Sequence, residues 1–130
     1  MTIVLGYVPS DAGRAALAAA VDETRRRGSD LVVVNTTRAD RLVDPRYAQE
    51  DELTDLADTL ESSGVEFEIR HYASEGLAAE EVIDVAREVD AELIVIGLRR
   101  RTPVGKLILG SAAQSILLDA PYPVLAIKAP

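Results

Sequence analysis

The residues best suited to chemistry form one stretch: Gly97-Leu98-Arg99-Arg100-Arg101-Thr102-Pro103-Val104-Gly105-Lys106-Leu107-Ile108-Leu109-Gly110-Ser111. Four cations, Arg99, Arg100, Arg101 and Lys106, fall within eight residues. Guanidinium groups grip phosphate oxygens through paired, charge-assisted hydrogen bonds. Gly110-Ser111 then opens an apolar helical pattern. A glycine before a helix start lets an anion approach bare backbone N–H groups. The Ser111 hydroxyl can donate to a phosphate oxygen. The chemistry on offer is the binding of a small anion, phosphate above all.

Each feature also has a purely structural reading. Ser111-x-x-Gln114 fits a capping box, which satisfies a helix start with no ligand. Gly97 and Gly110 suit ordinary turns. The arginines suit a solvated charge run. Capping and phosphate binding are compatible, because a phosphate oxygen can share the same helical turn.

Two common phosphate motifs are absent. A dinucleotide fingerprint needs G-x-G-x-x-G after the first strand. That turn reads Gly6-Tyr7-Val8-Pro9-Ser10-Asp11. A Walker A loop needs G-x-x-x-x-G-K-[ST]. Gly105-Lys106 is present, but Arg100 stands at the first glycine and Leu107 follows the lysine.

The elements that must position this stretch are legible as a pattern. Apolar runs of strand length cover Ile3–Val8, Leu31–Thr36, Val65–Tyr72, Leu93–Leu98 and Val124–Ile127. Most are nearly continuous, as expected of parallel strands covered on both faces. Val65–Tyr72 instead alternates, with Val65, Phe67 and Ile69 against Glu66, Glu68 and Arg70. That predicts a half-exposed strand at a sheet edge.

Helical periodicity fills the gaps. The first helix is expected over Asp11–Arg27, with Leu17, Ala20, Val21 and Thr24 inward and Gly28 as its stop. The second begins near Asp44-Pro45, repeats Leu53, Leu56, Ala57 and Leu60, and ends at Gly64. The third covers Leu77–Val89, with Ala78, Val82, Val85, Ala86 and Val89 inward. The fourth runs from Ser111 to about Asp119, before Pro121 and Pro123. Thr37–Asp44 reads as a longer loop. Strict alternation of strand and helix predicts an α/β fold with right-handed crossovers. In such sheets ligands bind beyond the carboxyl ends of the strands, where the strand order reverses. The functional residues should therefore follow strands one, two and four.

Composition narrows the function further. The chain has 130 residues, which suits a single domain over 1–130. It is 48% apolar and 28% charged, enough for a packed core. It has no cysteine, which excludes disulfides, thiol catalysis and thiolate metal sites. The net charge of −8 argues against nucleic acid or an anionic membrane as partner. The charge is also uneven. Residues 1–97 carry 9 basic and 21 acidic side chains, whereas 98–130 carry five basic ones against Asp119 alone. A compact positive spot on an acidic protein attracts a small anion. No apolar run reaches the roughly 18 residues of a spanning helix, and Met1–Leu5 lacks the pattern of a signal peptide. The expected address is the cytoplasm.

Other polar residues read as structural. His71, the one histidine, has no metal-ligand partner at useful spacing. Glu50-Asp51-Glu52 with Asp55 and Asp58 reads as a solvated helix face. Tyr7, Tyr47, Tyr72 and Tyr122 are too scattered for a stacking platform. Tyr122, between two prolines, fits either a dimer seam or turn packing.

The stretch from Gly97 to Ser111 resembles the nucleotide-binding signature of the universal stress protein family, G-x2-G-x9-G-[ST]. Gly97 matches, Arg100 takes the place of the second glycine, and Gly110-Ser111 closes the motif after nine residues. The tail Ile116–Ile127 is similar to that family's last helix and strand, and the resemblance covers essentially the whole chain. It implies a Rossmann-like open five-stranded parallel sheet in order 3-2-1-4-5, with helices on both faces. It also implies a homodimer joined through the C-terminal strand, and ATP or AMP across the ends of strands one, two and four. Magnesium would accompany ATP only.

Carried over by motif, Gly97, Gly110 and Ser111 would cradle ribose and phosphates, with Arg99 in the same loop. The adenine contact would fall around Thr36. Val8 stands where the family often has aspartate, which removes one polar contact. Arg100 in place of glycine could block the pocket or fold over and bind phosphate itself.

Three functions compete. The first is a stress-response or signalling module that binds an adenine nucleotide. The second is a scaffold of the same fold that has lost the nucleotide, consistent with Val8 and Arg100. The third is an ATP hydrolase, but no general base adjoins the loop and no carboxylate cluster offers a magnesium site. Slow hydrolysis stays open.

Overall fold

The computed structural model describes residues 1–38, 45–74, 78–98 and 110–128. Strand and helix alternate along them: β1 (Thr2–Tyr7), α1 (Asp11–Arg27), β2 (Asp30–Arg38), α2 (Pro45–Ser63), β3 (Phe67–Ser74), α3 (Ala78–Val89), β4 (Leu93–Leu98), α4 (Ser111–Asp119) and β5 (Val124–Lys128). The strands form one parallel sheet in the order β3-β2-β1-β4-β5. This is the Rossmann-like sheet that the resemblance implies. The order reverses between β1 and β4.

Successive strand residues face opposite sides, so the continuous apolar runs feed two cores. Ile3, Leu5, Leu31, Val33, Leu93 and Val95 join Leu17, Ala20 and Val21 of α1 and Leu56 and Leu60 of α2. Val4, Val32, Val34, Ile94 and Ile96 join Val82, Ile83, Val85 and Ala86 of α3 and Ile116 of α4. Each fully buried aliphatic side chain contributes about 1.5–3 kcal/mol. The inward face expected for α1 is buried, Thr24 included. Thr24 satisfies its hydroxyl by donating to the Ala20 carbonyl at 2.7 Å. On α3 Val82, Val85 and Ala86 are buried as expected and Ala79 and Ile83 join them, whereas Val89 is half-buried and the Ala78 side chain lies outside the described part.

Local signals set the element ends. Ser10 caps α1 by accepting from the Gly13 N–H at 3.0 Å. Gly28 ends α1 in the left-handed region, with φ 62°. β3 is a border strand, as its alternation predicts. Val65, Phe67 and Ile69 pack inward, while Arg70 pairs with Glu68 and with Glu88 of α3, at 2.9 and 2.7 Å.

β2 differs from expectation. Thr37 and Arg38, read as loop, extend the strand. β3 supplies their ladder partners, Ala73 and Ser74, and β-branched Thr37 suits a strand although it lies beyond the apolar run. Residues 39–44, the rest of that expected loop, lie outside the described part.

Candidate functional site

The reversal between β1 and β4 opens a cleft at their carboxyl ends. Val8 and Ser10 of the β1–α1 turn form one wall with Ala12 and Gly13 of α1. Ala112, Ala113 and Ile116 of α4 form another. Gly6, Tyr7, Val34, Val82, Ile96 and Gly97 complete the lining. These residues border a cavity of about 90 Å³. Small-molecule sites usually span roughly 300–1,000 Å³, so the described walls alone hold only part of a ligand. The lining is largely apolar, and no described lining residue carries a carboxylate.

Two helix starts border this cleft, and they differ. The first turn of α1 is closed by Ser10. At α4 the capping position is Gly110, with φ −64° and ψ 159° and no side-chain cap. The expected capping box is therefore corrected. Ser111 is the first helical residue and Gln114 the fourth, an offset of one from the box. The backbone N–H of Gln114 donates to the Gly110 carbonyl at 2.9 Å. A capping serine needs extended backbone ahead of the helix, and here Gly110 holds that conformation. Helix starts leave N–H groups without intrahelical partners and carry partial positive charge. At α4 no capping side chain among the described residues answers them, and the Ser111 side chain is exposed.

The glycines divide by cause. A Cβ on Gly97 would stand 2.5 Å from the Ala12 carbonyl oxygen. Gly97 lies within β4, paired with Ile127. It is a packing glycine that brings sheet and α1 together, rather than the turn glycine it resembles in sequence. Gly110 is the opposite case. A Cβ there meets nothing within 4 Å among the described residues, and its φ suits any amino acid. Neither backbone conformation nor described packing requires glycine at 110.

Of the residues singled out by sequence, Val8 and Gly97 line the cleft. Gly110 and Ser111 stand at the start of the helix that walls it. Thr36 pairs with Tyr72 in the sheet, but its side chain lies outside the described part. So do Arg99 and Arg100. Among the described residues no group of three or more histidines, aspartates or glutamates is placed to hold a metal ion.

Sequence reasoning passed over Asn35. It is 6% exposed, and its Oδ1 has no hydrogen-bond partner among the described residues. It sits at the carboxyl end of β2, in register with Tyr7 of β1 and His71 of β3. The available signal was an amide closing the apolar run Leu31–Val34. Ala112 and Ala113 were also missed, since small residues early in a helix carry no chemical signal.

A model of the universal stress protein family matches residues 1–128. The chain belongs to this family. A universal stress protein of Mycolicibacterium smegmatis is 48% identical over 126 residues, covering 97% of this chain and 96% of that one. A solved universal stress protein from Archaeoglobus fulgidus superposes with a TM-score of 0.79 at 34% identity, covering 98% and 97% of the two chains. A universal stress protein from the same organism, solved in complex with dAMP, gives 0.73 at 29% identity, covering 98% and 96%. Among the described residues of this universal stress protein, no helix is long and apolar enough to cross a membrane.

Proposed function

We propose that this universal stress protein binds an adenine nucleotide, ATP or AMP, in the cleft between β1 and β4. It acts in the cytoplasm as a homodimeric stress-response or signalling module. The observation that carries this reading is the start of α4. Its N-terminus has no side-chain cap among the described residues, and a Cβ on Gly110 would meet none of them within 4 Å. An anion is the natural occupant of such a helix start. The apolar lining by Val34, Val82 and Ile96 suits a flat base better than a sugar. The dAMP complex of the Archaeoglobus fulgidus protein supports the ligand class.

Ser111 would donate its hydroxyl to a phosphate, and Gly97 and Gly110 would flank it. Arg99 and Arg100 are assigned to the phosphates by their place between these glycines. Thr36 is assigned to the base, and Val8 contributes an apolar contact. Magnesium would arrive with ATP. The homodimer would join through β5, a border strand whose five residues include one charge, Lys128.

Val8 favours a second reading, a scaffold of the same fold without a nucleotide, since it offers the ligand no polar group from its side chain. Calorimetry on nucleotide-stripped protein with ATP, AMP and cyclic AMP separates the two. The expected result is micromolar binding, weakened about tenfold or more in Ser111→Ala by loss of a hydrogen bond to a charged group. Absence of binding at millimolar nucleotide would establish the scaffold. Arg100→Gly decides the role of that arginine. Tighter binding marks a plug, and weaker, salt-sensitive binding marks a ligand group.

A further inference from the structure

Among the described residues that line the cleft, two carry polar side chains, Tyr7 and Ser10. Tyr7 lends its ring to the core beneath α1 and α2. The Ser10 hydroxyl serves the start of α1. It accepts from the Gly13 N–H at 3.0 Å and donates to the Val8 carbonyl at 3.5 Å. That carbonyl also lies against Gly13, in the first turn of α1. The other described lining residues are glycines and aliphatics, with Val8, Val34, Val82, Ile96 and Ile116 the bulkiest. The described walls therefore hold a ligand by shape and apolar contact.

A nucleotide has three parts to place here. Its phosphate goes to the start of α4, and its flat base goes against Val34, Val82 and Ile96. The sugar then spans the opening between the β1–α1 turn and the first turn of α4. Val8 borders the cavity on one wall, and Ala112 and Ala113 border it on the other. Dinucleotide sites supply a carboxylate to the 2′-hydroxyl of the ribose. The Val8 side chain offers neither acceptor nor donor. A hydroxyl moved from water to an aliphatic wall loses its water and gains no partner. The 2′-hydroxyl therefore adds nothing to affinity, and a deoxyribose forfeits nothing by lacking it.

We propose that this cleft takes 2′-deoxyadenosine nucleotides at least as tightly as adenosine nucleotides, and that Val8 is the residue that makes it indifferent to the sugar. This rests on the nucleotide reading above and names the ligand class within it. Specificity is a difference between two affinities. A site with a placed acceptor rejects a ligand that lacks the hydroxyl, because the acceptor is then left unpaired. A valine wall has nothing to leave unpaired. Position 8 is suited to carry the difference. It follows β1 directly and is half-buried. It also precedes the start of α1, where an acidic side chain is tolerated by the helix dipole.

Calorimetry with AMP, dAMP, ATP and dATP tests this on nucleotide-stripped wild type, Val8→Asp and Val8→Thr. Threonine keeps the outline of valine and adds one hydroxyl, so it serves if aspartate disturbs the fold, which circular dichroism will check. The readout is the ratio of deoxy to ribo Kd, in which any effect of the new side chain on the phosphates cancels. Wild type is expected to give a ratio of about one or less. Val8→Asp should raise it about fivefold or more, through a hydrogen bond from the 2′-hydroxyl to a charged acceptor. Val8→Thr should move it the same way by less. A wild-type ratio of about threefold or more in favour of the ribonucleotides would overturn the indifference to the sugar. Ratios in both variants equal to that of wild type would overturn the role of Val8. If wild type binds none of these nucleotides, the nucleotide reading itself falls and takes this inference with it, whereas binding that discriminates between the sugars overturns this inference alone.

Discussion

A Cβ on Gly13 would stand 1.7 Å from the carbonyl oxygen of Val8. The first turn of α1 thus closes directly onto the backbone that follows β1. Gly97 of β4 presses on the same turn from the other side, through the Ala12 carbonyl. Two backbone contacts therefore set the shape of the cleft, and both need glycine for space rather than for its φ. Gly13→Ala is expected to lose about 1–3 kcal/mol, the usual cost of overpacking, with Gly97→Ala in the same range. Urea unfolding measures both. A midpoint unmoved in Gly13→Ala would mean that the β1–α1 turn yields freely.

Gly110 and Ser111 should behave in the opposite way. No described neighbour crowds position 110, so Gly110→Ala should change stability by less than about 0.5 kcal/mol. Ser111→Ala should do the same, because Ser111 is not the capping residue. A capping serine would cost about 1 kcal/mol on removal. Both substitutions should nevertheless weaken nucleotide binding. Urea midpoints measured beside calorimetric affinities make the comparison, and a loss of stability without a loss of affinity would restore Ser111 to a capping role.

Asn35 places a buried acceptor, with no donor among the described residues, in the row Tyr7–Asn35–His71. An unmade buried hydrogen bond costs about 1–3 kcal/mol. Asn35→Leu, which keeps the branched outline without the polar atoms, is expected to stabilise the protein by about 1 kcal/mol in urea unfolding. A destabilised variant would mean that the amide makes contacts worth more than its orphaned oxygen costs.

The frame of the fold was legible because single residues decide it. Gly28 ends α1 where its pattern stops. The alternation of Val65, Phe67 and Ile69 with Glu66, Glu68 and Arg70 marks β3 as a border. Apolar runs at Leu31 and Leu93 mark strands covered on both faces. The candidate site was less legible, for physical reasons. Whether Ser111 caps α4 depends on the backbone angles of Gly110, a one-residue matter that periodicity does not resolve. Gly97 looks like a turn glycine in sequence, and its need for space arises from Ala12, far away along the chain. Burial of Asn35 follows from strand pairing on both of its sides.

Arg70 supplies the last test, at the sheet border away from β5. Its guanidinium holds Glu68 on its own strand and Glu88 on α3, both exposed carboxylates. Exposed ion pairs contribute about 0–1 kcal/mol, so Arg70→Val should leave stability nearly unchanged. The substitution would, however, replace a charge by an apolar side chain on the α3-side face of a border strand. Charged side chains at such borders block pairing with another chain. Arg70→Val is therefore expected to associate on warming in light scattering, while Arg70→Lys stays monodisperse beyond the wild-type assembly. Equal scattering from the two variants would mean that charge at position 70 does not guard this edge. In that case the contrast between a charged β3 and a weakly charged β5 would lose its value as a guide to where copies meet.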